Sequence, residues 1–343
     1  MLGVVQKSLF LVSLSILGGC AGLSPQARPV NRAAVKHRAL EILEAGIQYP
    51  YNPVVRVEAV EAIASSRSEE GLPWVRISLL DEHPAVRFAA CVALGELGDA
   101  SSIKSIRKLL SDNDANVQAA CIYALHRLGD HTHSGKLSTF LLENDNVTVR
   151  RNAALLLGRL GEKSAVRILA KAMGDSDQGV RQHALEGMAR LENDEACNEL
   201  AFLSNSGIGS VEVFAIQALA QTRRTDYIEP FRYKLASSDH LEVRLAAALG
   251  LELLGQKGGF EFALRSLRGR RPIIKDPKDP DSQQILRGRV MAISVLGASK
   301  RSDALPELAK LMDDESDPRV QVAGAQAVLK ILNAQQQNAL PFD

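Results

Sequence analysis

Aromatic side chains are scarce: phenylalanine, tryptophan and tyrosine together make up 4% of 343 residues, with a single tryptophan. A core built almost without rings is filled by small and branched aliphatic side chains, and close stacking of helices is the packing that suits them. The same scarcity argues against an aromatic platform for stacking nucleic-acid bases. An excess of one charge sign is also missing, since 41 basic residues face 40 acidic ones. No global pull toward nucleic acid or an anionic membrane follows from that balance, so electrostatic recognition has to be local. Cysteines number four, and no spacing among them resembles a zinc or redox pair. A phosphate-binding glycine loop and a nucleophile elbow are absent as well.

Long apolar runs are lacking too. The longest, Ser8 to Leu17, is about ten residues, too short for a permanent membrane span. It follows a start whose only charge is Lys7 and precedes Leu17-Gly18-Gly19-Cys20. This arrangement resembles the lipobox of bacterial lipoproteins, in which the cysteine is lipidated and becomes the first mature residue. The resemblance implies a signal peptide over 1–19, lipid attachment at Cys20 and a lipidated tether over 20–31. With Ala21 next, it further implies the outer membrane, on the side facing the periplasm. Export places Cys91, Cys121 and Cys197 in a disulfide-permissive compartment. Cys91 and Cys121 fall on equivalent helices of neighbouring repeats, and helix spacing favours reading them as small buried hydrophobes.

What is present is a repeat. Aligned on the arginine of Pro84–Asp99 (PAVRFAACVALGELGD), the register runs Arg56, Arg87, Gln118, Arg150, Arg181, Glu212, Arg244, Arg289 and Gln321. The steps are 31, 31, 32, 31, 31, 32, 45 and 32 residues. A fixed period near thirty residues predicts stacked helix pairs whose core grows along one direction. In each unit a first helix, such as Glu69 to Leu80, leads through a polar turn to a second. Pro53, Pro84 and Pro318 suit the first position of the second helix. Asp114, Asn146, Asp177 and Asp239 suit its N-cap, and Gly98, Gly129, Gly161 and Gly255 its left-handed end. On the second helix, apolar positions fall at −1, +3, +6, +7 and +10 from the register residue, as in Val86, Ala90, Ala93, Leu94 and Leu97. That stripe is one helix face.

The repeat resembles the HEAT repeat, in the short form found in the phycobilin-lyase-like group. The resemblance spans residues 32–333 and implies an all-α, αα superhelical solenoid of about nine helix pairs. An open array of that size would extend roughly 70–90 Å at ~8–10 Å per layer. In such proteins the recurring arginine pairs with turn acids of the same or an adjacent repeat, and the second helices line the concave face. The 45-residue step contains an insertion loop at 269–282, with Arg270, Arg271 and Lys275 in its basic half. A flexible C-terminal tail is expected over 334–343.

The candidate binding residues are the outward positions of the middle second helices: Tyr123, His126, Arg127, Arg151, Arg159, His183, Arg190, Phe214 and Gln217. Among them Arg127, Arg159 and Arg190 form a column of cations. Some HEAT-like proteins are di-iron hydroxylases carrying His-Glu pairs, but here the seven histidines precede Arg38, Pro84, Arg127, Thr132, Ser134, Ala184 and Leu241. His131 and His133 beside Asp130 make an incomplete metal set. The expectation is a non-catalytic, membrane-anchored scaffold that docks protein partners of the periplasm or envelope. It needs no cofactor or metal, and no nucleic-acid partner is expected. The alternative is a module that binds an anionic envelope polymer through the arginine column, and the minor alternative is a phycobilin-lyase-like enzyme.

Overall fold

The computed structural model describes residues 30–268 and 280–339. The chain divides into a segment Met1–Val30 and a body Asn31–Asp343. Cys20 and the loop residues Arg270, Arg271 and Lys275 lie outside the described residues.

The body is a succession of helix pairs. The first helices are α1 (Arg32–Ile47), α3 (Leu72–Ile77), α5 (Ile103–Lys108), α7 (Lys136–Glu143) and α9 (Val166–Ala172). Their partners are α2 (Pro53–Ser66), α4 (Pro84–Leu97), α6 (Ala115–Arg127), α8 (Val147–Leu160) and α10 (Gln178–Arg190). The remaining first helices are α11 (Asp194–Leu203), α13 (Ile228–Ser237), α15 (Gly259–Arg268) and α17 (Leu305–Asp314). They pair with α12 (Gly209–Gln221), α14 (Leu241–Leu253), α16 (Asp281–Ser299) and α18 (Pro318–Ala339). Nine pairs in all are thus described, the number the register predicts, and every regular element among the described residues is an α-helix or a short 3-10 turn. α18 continues to Ala339, beyond Asn333 where the sequence periodicity fades, so residues 334–339 of the expected tail are helical.

Local chemistry sets the helix boundaries much as the repeat predicts. Pro53 and Pro84 open α2 and α4, and Pro318 opens α18. Asp114, Asn146 and Asp177 cap α6, α8 and α10 through their side-chain oxygens. Asp239 does not cap α14, whose N-cap is His240. At register +11 the backbone turns left-handed in eight successive repeats. Gly98, Gly129, Gly161 and Gly255 occupy four of these positions, at φ 72°, 92°, 82° and 71°. Arg67, Glu192, Arg223 and Lys300 occupy the others, at φ 53° to 64°. Sequence reading finds only the glycine half, because the turn demands the conformation in every copy but glycine merely lowers its cost.

The register arginine is the joint between repeats. Arg56 donates through Nε and Nη2 to the Asp81 carboxylate at 2.9 and 3.0 Å, and Arg87 reaches Asp112 the same way at 2.9 Å twice. Arg150 repeats this on Asp175 at 2.8 and 3.0 Å. The acid that precedes each arginine in sequence therefore belongs to the arginine one repeat earlier. What an arginine takes from its own turn is backbone carbonyl: Arg87 Nη1 donates to Asp81 O and Glu82 O at 2.9 and 3.0 Å. Gln118 keeps only this half of the device, donating to Asp112 O at 2.8 Å. Glu212 reverses it, accepting from the Gly207 N–H at 3.0 Å and pairing with Lys234 at 3.0 Å.

Between second helices the packing is very close. A Cβ added at Gly158 would lie 2.4 Å from Gly187 Cα, and one at Gly95 would lie 2.7 Å from Ala124 Cα. Gly297 meets Ala327 Cα at 3.0 Å in the same way. These contacts join register +8 of one helix to +6 of the next. Tight approach on one side of each pair curves the stack.

The curvature closes the array. α18 packs on α2 and on α1 as extensively as on its sequence neighbour α16. Across this seam Arg38 Nε donates to Asp313 at 3.0 Å, Gln326 to Ser65 Oγ at 2.6 Å and Asn333 to Ser66 O at 2.8 Å. The body is thus a ring of nine pairs, and an open stack of 70–90 Å does not form. Nine axes spaced ~8–10 Å apart lie on a circle of roughly 12–15 Å radius. Allowing for helices ~10–12 Å across with their side chains, the bore left inside is roughly 12–20 Å wide.

Candidate functional site

The second helices form the inner wall, and side chains from separate repeats meet across it. Arg159 of α8 reaches past α6 to Glu96 of α4 at 3.4 Å. Tyr123 of α6, expected to face solvent, is 1% exposed, and its hydroxyl donates to the same carboxylate at 3.4 Å. Burial and the Glu96 charge push the Tyr123 hydroxyl up to about 12. Glu61 of α2 is open to water and yet hemmed in by the facing wall. Enclosure governs: desolvation outweighs the attraction of Arg159 and raises its carboxyl above the ordinary value.

On α10, Glu186 accepts from Arg190 Nη2 at 2.8 Å and from Nε at 3.1 Å, with His183 Nδ1 3.5 Å away. Burial opposes ionisation of Glu186, but the adjacent His183 imidazole and the Arg190 guanidinium outweigh it and hold the carboxyl at about 2. The expected column of cations is therefore largely neutralised. Arg159 and Arg190 carry carboxylate partners, and Arg127 alone of the three is exposed with no carboxylate partner among the described residues. A concave face with Glu58, Glu61, Glu96 and Glu186 among its arginines is a mixed surface, poorly suited to holding a polyanion.

Two other expected residues have different work. Arg151 Nε and Nη2 donate to Asp177 at 2.7 and 2.6 Å, tying α8 to the N-cap of α10. His126 lies away from the bore, its Nδ1 2.7 Å from Ser134 Oγ and its Nε2 3.4 Å from Glu162. His131 Nδ1 approaches His126 Nδ1 at 3.1 Å, while the Asp130 carboxylate is engaged by Arg107 and Thr132. Asp130, His131 and His133 thus do not converge, and among the described residues no three metal-ligating side chains do.

What does come together is a cavity of about 250 Å³ on the wall formed by α10, α12 and α14. Glu186 and Arg190 line one side, Phe214, Gln217 and Gln221 the middle, and Leu249 and Leu253 the far side. Arg190, Phe214 and Gln217 were legible as outward positions. The α14 leucines were not, because apolar residues at outward positions look like core until the ring places them on a wall.

A second feature lies on one rim. Nine large apolar side chains are exposed among the described residues, and all sit late in a first helix, in the turn after it, or in the first two turns of a second helix. Tyr51, Val54, Ile77 and Leu80 gather in the first two repeats, with Tyr51 86% and Leu80 85% exposed. Phe202, Ile208 and Tyr233 gather in the sixth and seventh, with Phe202 78% exposed. The opposite rim, which carries the left-handed turns, has none among the described residues.

The sequence matches the family model for HEAT repeats over residues 40–126 and 135–207. These segments are HEAT repeats. Among solved structures, this chain is similar to the complex of CpcE and CpcF of phycocyanin lyase from Nostoc sp. PCC7120, at 17% identity and TM-score 0.43. That match covers 82% of this chain and 99% of the other. Human deoxyhypusine hydroxylase matches at 15% identity and TM-score 0.35, covering 79% of this chain and 99% of the enzyme. YibA of E. coli matches at 13% identity and TM-score 0.33, covering 89% and 99%. No curated protein matches the sequence.

Proposed function

We propose that this protein is a non-catalytic docking scaffold of the bacterial cell envelope, anchored through lipid on Cys20, whose apolar rim receives a protein partner. The observation that carries the docking half is the segregation of exposed large apolar side chains onto one rim of a rigid ring. Exposed apolar residues scattered singly need no explanation, whereas their gathering on one edge of a repeat array marks an interaction surface. The ring supports that reading by fixing the rim residues of different repeats relative to one another, which lowers the ordering cost of binding. The envelope half is supported by the apolar run and Leu17-Gly18-Gly19-Cys20.

Each half has its own experiment. Cys20→Ser moves the protein from the membrane fraction to the soluble fraction; retention in the membrane refutes the anchor. For docking, a photo-crosslinking amino acid placed at Leu80 or Phe202 in intact cells captures a defined partner. The same substitution at exposed Lys104 on the outer face does not. Leu80→Glu with Phe202→Glu, in a ring that still melts normally, abolishes capture from a neighbouring rim site such as Tyr233. Equal capture from rim and outer face refutes rim docking.

A further inference from the structure

The bore carries an inference independent of the rim. Gln217 and Gln221 are both exposed, stand one turn apart on the inner face of α12, and make no hydrogen bond to another described residue. Residues so spaced have Cβ atoms about 5–6 Å apart. In an extended polypeptide, backbone groups facing the same way recur every two residues, about 6.4–6.8 Å. The two amides, each with a donor and an acceptor, match that repeat within the freedom of a glutamine side chain.

The neighbouring helices supply the other half of the pattern. α12 packs between α10 and α14. Beside the glutamines, α10 presents the Glu186–Arg190 pair and α14 presents Leu249 and Leu253. Side chains of an extended strand alternate between opposite faces. A strand lying along α12 therefore turns every second side chain to a charged wall and the others to an apolar one. At about 250 Å³ the cavity falls below the roughly 300–1,000 Å³ of pockets that enclose drug-sized ligands. It suits a short stretch of a longer chain continuing along the bore. A bore of roughly 12–20 Å leaves room for an extended strand lying against the α12 wall.

We propose that the bore of the ring binds an extended polypeptide segment with alternating polar and apolar side chains, hydrogen-bonded through Gln217 and Gln221 and sorted between the α10 and α14 walls. Arg190 supports the polar side, because its Nη1 is left over after Nε and Nη2 engage Glu186.

The test uses the full chain without its signal peptide and two fluorescent, lysine-flanked peptides of equal composition. One alternates threonine and leucine over eight positions; the other carries four threonines followed by four leucines. Fluorescence anisotropy gives the affinities. The alternating peptide is expected to bind at least tenfold more tightly than the block peptide. Gln217→Ala with Gln221→Ala should weaken it about tenfold, the effect of losing two modest hydrogen bonds. Leu253→Lys should weaken the alternating peptide as well, while Leu80→Glu with Phe202→Glu leaves its binding unchanged. Thermal melts confirm that each variant folds. Equal affinity for the two peptides, no saturable binding of either by wild type, or full binding by the glutamine double variant each overturns the proposal.

Discussion

Glu58 gives the sharpest test of how the ring closes. It stands on α2 at the seam with α18, and its Oε2 is buried without a hydrogen-bond partner. Burial, with the nearby charges of Glu61 and Asp317, raises its carboxyl from 4.5 to about 7 against the pull of Arg319. Arg319 offers limited relief because its Nε and Nη2 are held by Asp317 at 3.1 and 2.8 Å. A folded-state value above the unfolded one means that the folded ring binds the proton more tightly. Below pH ~4 both states are protonated and no penalty exists; as pH rises from 4.5 through 7, the unfolded chain ionises first and stability falls. The full shift corresponds to at most roughly 3 kcal/mol. Partial access of water to the bore lowers the expected effect to about 1–2 kcal/mol. Glu58→Gln keeps the shape and removes the titration. Urea melts across pH 4 to 8 should give matching stabilities near pH 4 and a variant about 1–2 kcal/mol more stable at pH 8. Taking the difference between the proteins cancels the lowered carboxyls, such as Asp112 and Asp175, whose stabilisation is lost in acid. A flat difference, or a wild type more stable at pH 8, refutes the assignment of a strained carboxylate to the seam.

Gly158→Ala places a Cβ 2.4 Å from the backbone of Gly187, which no side-chain rotation relieves, and should cost at least 1–3 kcal/mol in a thermal or urea melt. In a double-mutant cycle, Arg150→Ala and Asp175→Ala should show a coupling of about 1–2 kcal/mol, above that of an exposed pair, because the contact is bidentate and mostly buried. Gly98→Ala should destabilise by about 1 kcal/mol, whereas Glu192→Gly at the equivalent left-handed position should be neutral or slightly stabilising.

The architecture was legible because the register residue, the proline or Asx start and the glycine stop recur in phase, each dictated by backbone chemistry. The core stripe was legible for the same reason: Val149, Ala153, Leu156 and Leu157 are all buried where the period puts them. Closure was not legible. It depends on small differences in approach, set by pairs such as Gly158–Gly187, which accumulate over nine repeats and have no signature in any one of them. The candidate site was half legible for a related reason. Outward positions on α10 and α12 follow from the period, but which of their charges are free depends on partners across the bore, such as Glu96 for Arg159. The period cannot bring those together. Arg151 illustrates the limit: its outward position suggested a ligand, and its neighbour Asp177 made it a tie between repeats.

In an open stack of repeats the two end units each lack one neighbour, so they fray first and unfolding spreads inward. The contact of α18 with α1 and α2 removes both ends at once. Every repeat then has two flanking interfaces, and local opening has to break two of them before any unit is released. The seam, where the chain itself is not continuous, becomes the place at which the circle is expected to come undone. Amide hydrogen exchange should therefore report near-uniform protection around the ring, with the earliest exchange in α1 and α18 and not in the middle of the array. Cutting the covalent chain at another inter-repeat turn and joining the old termini would carry that weak point to the new cut, leaving the circle itself intact.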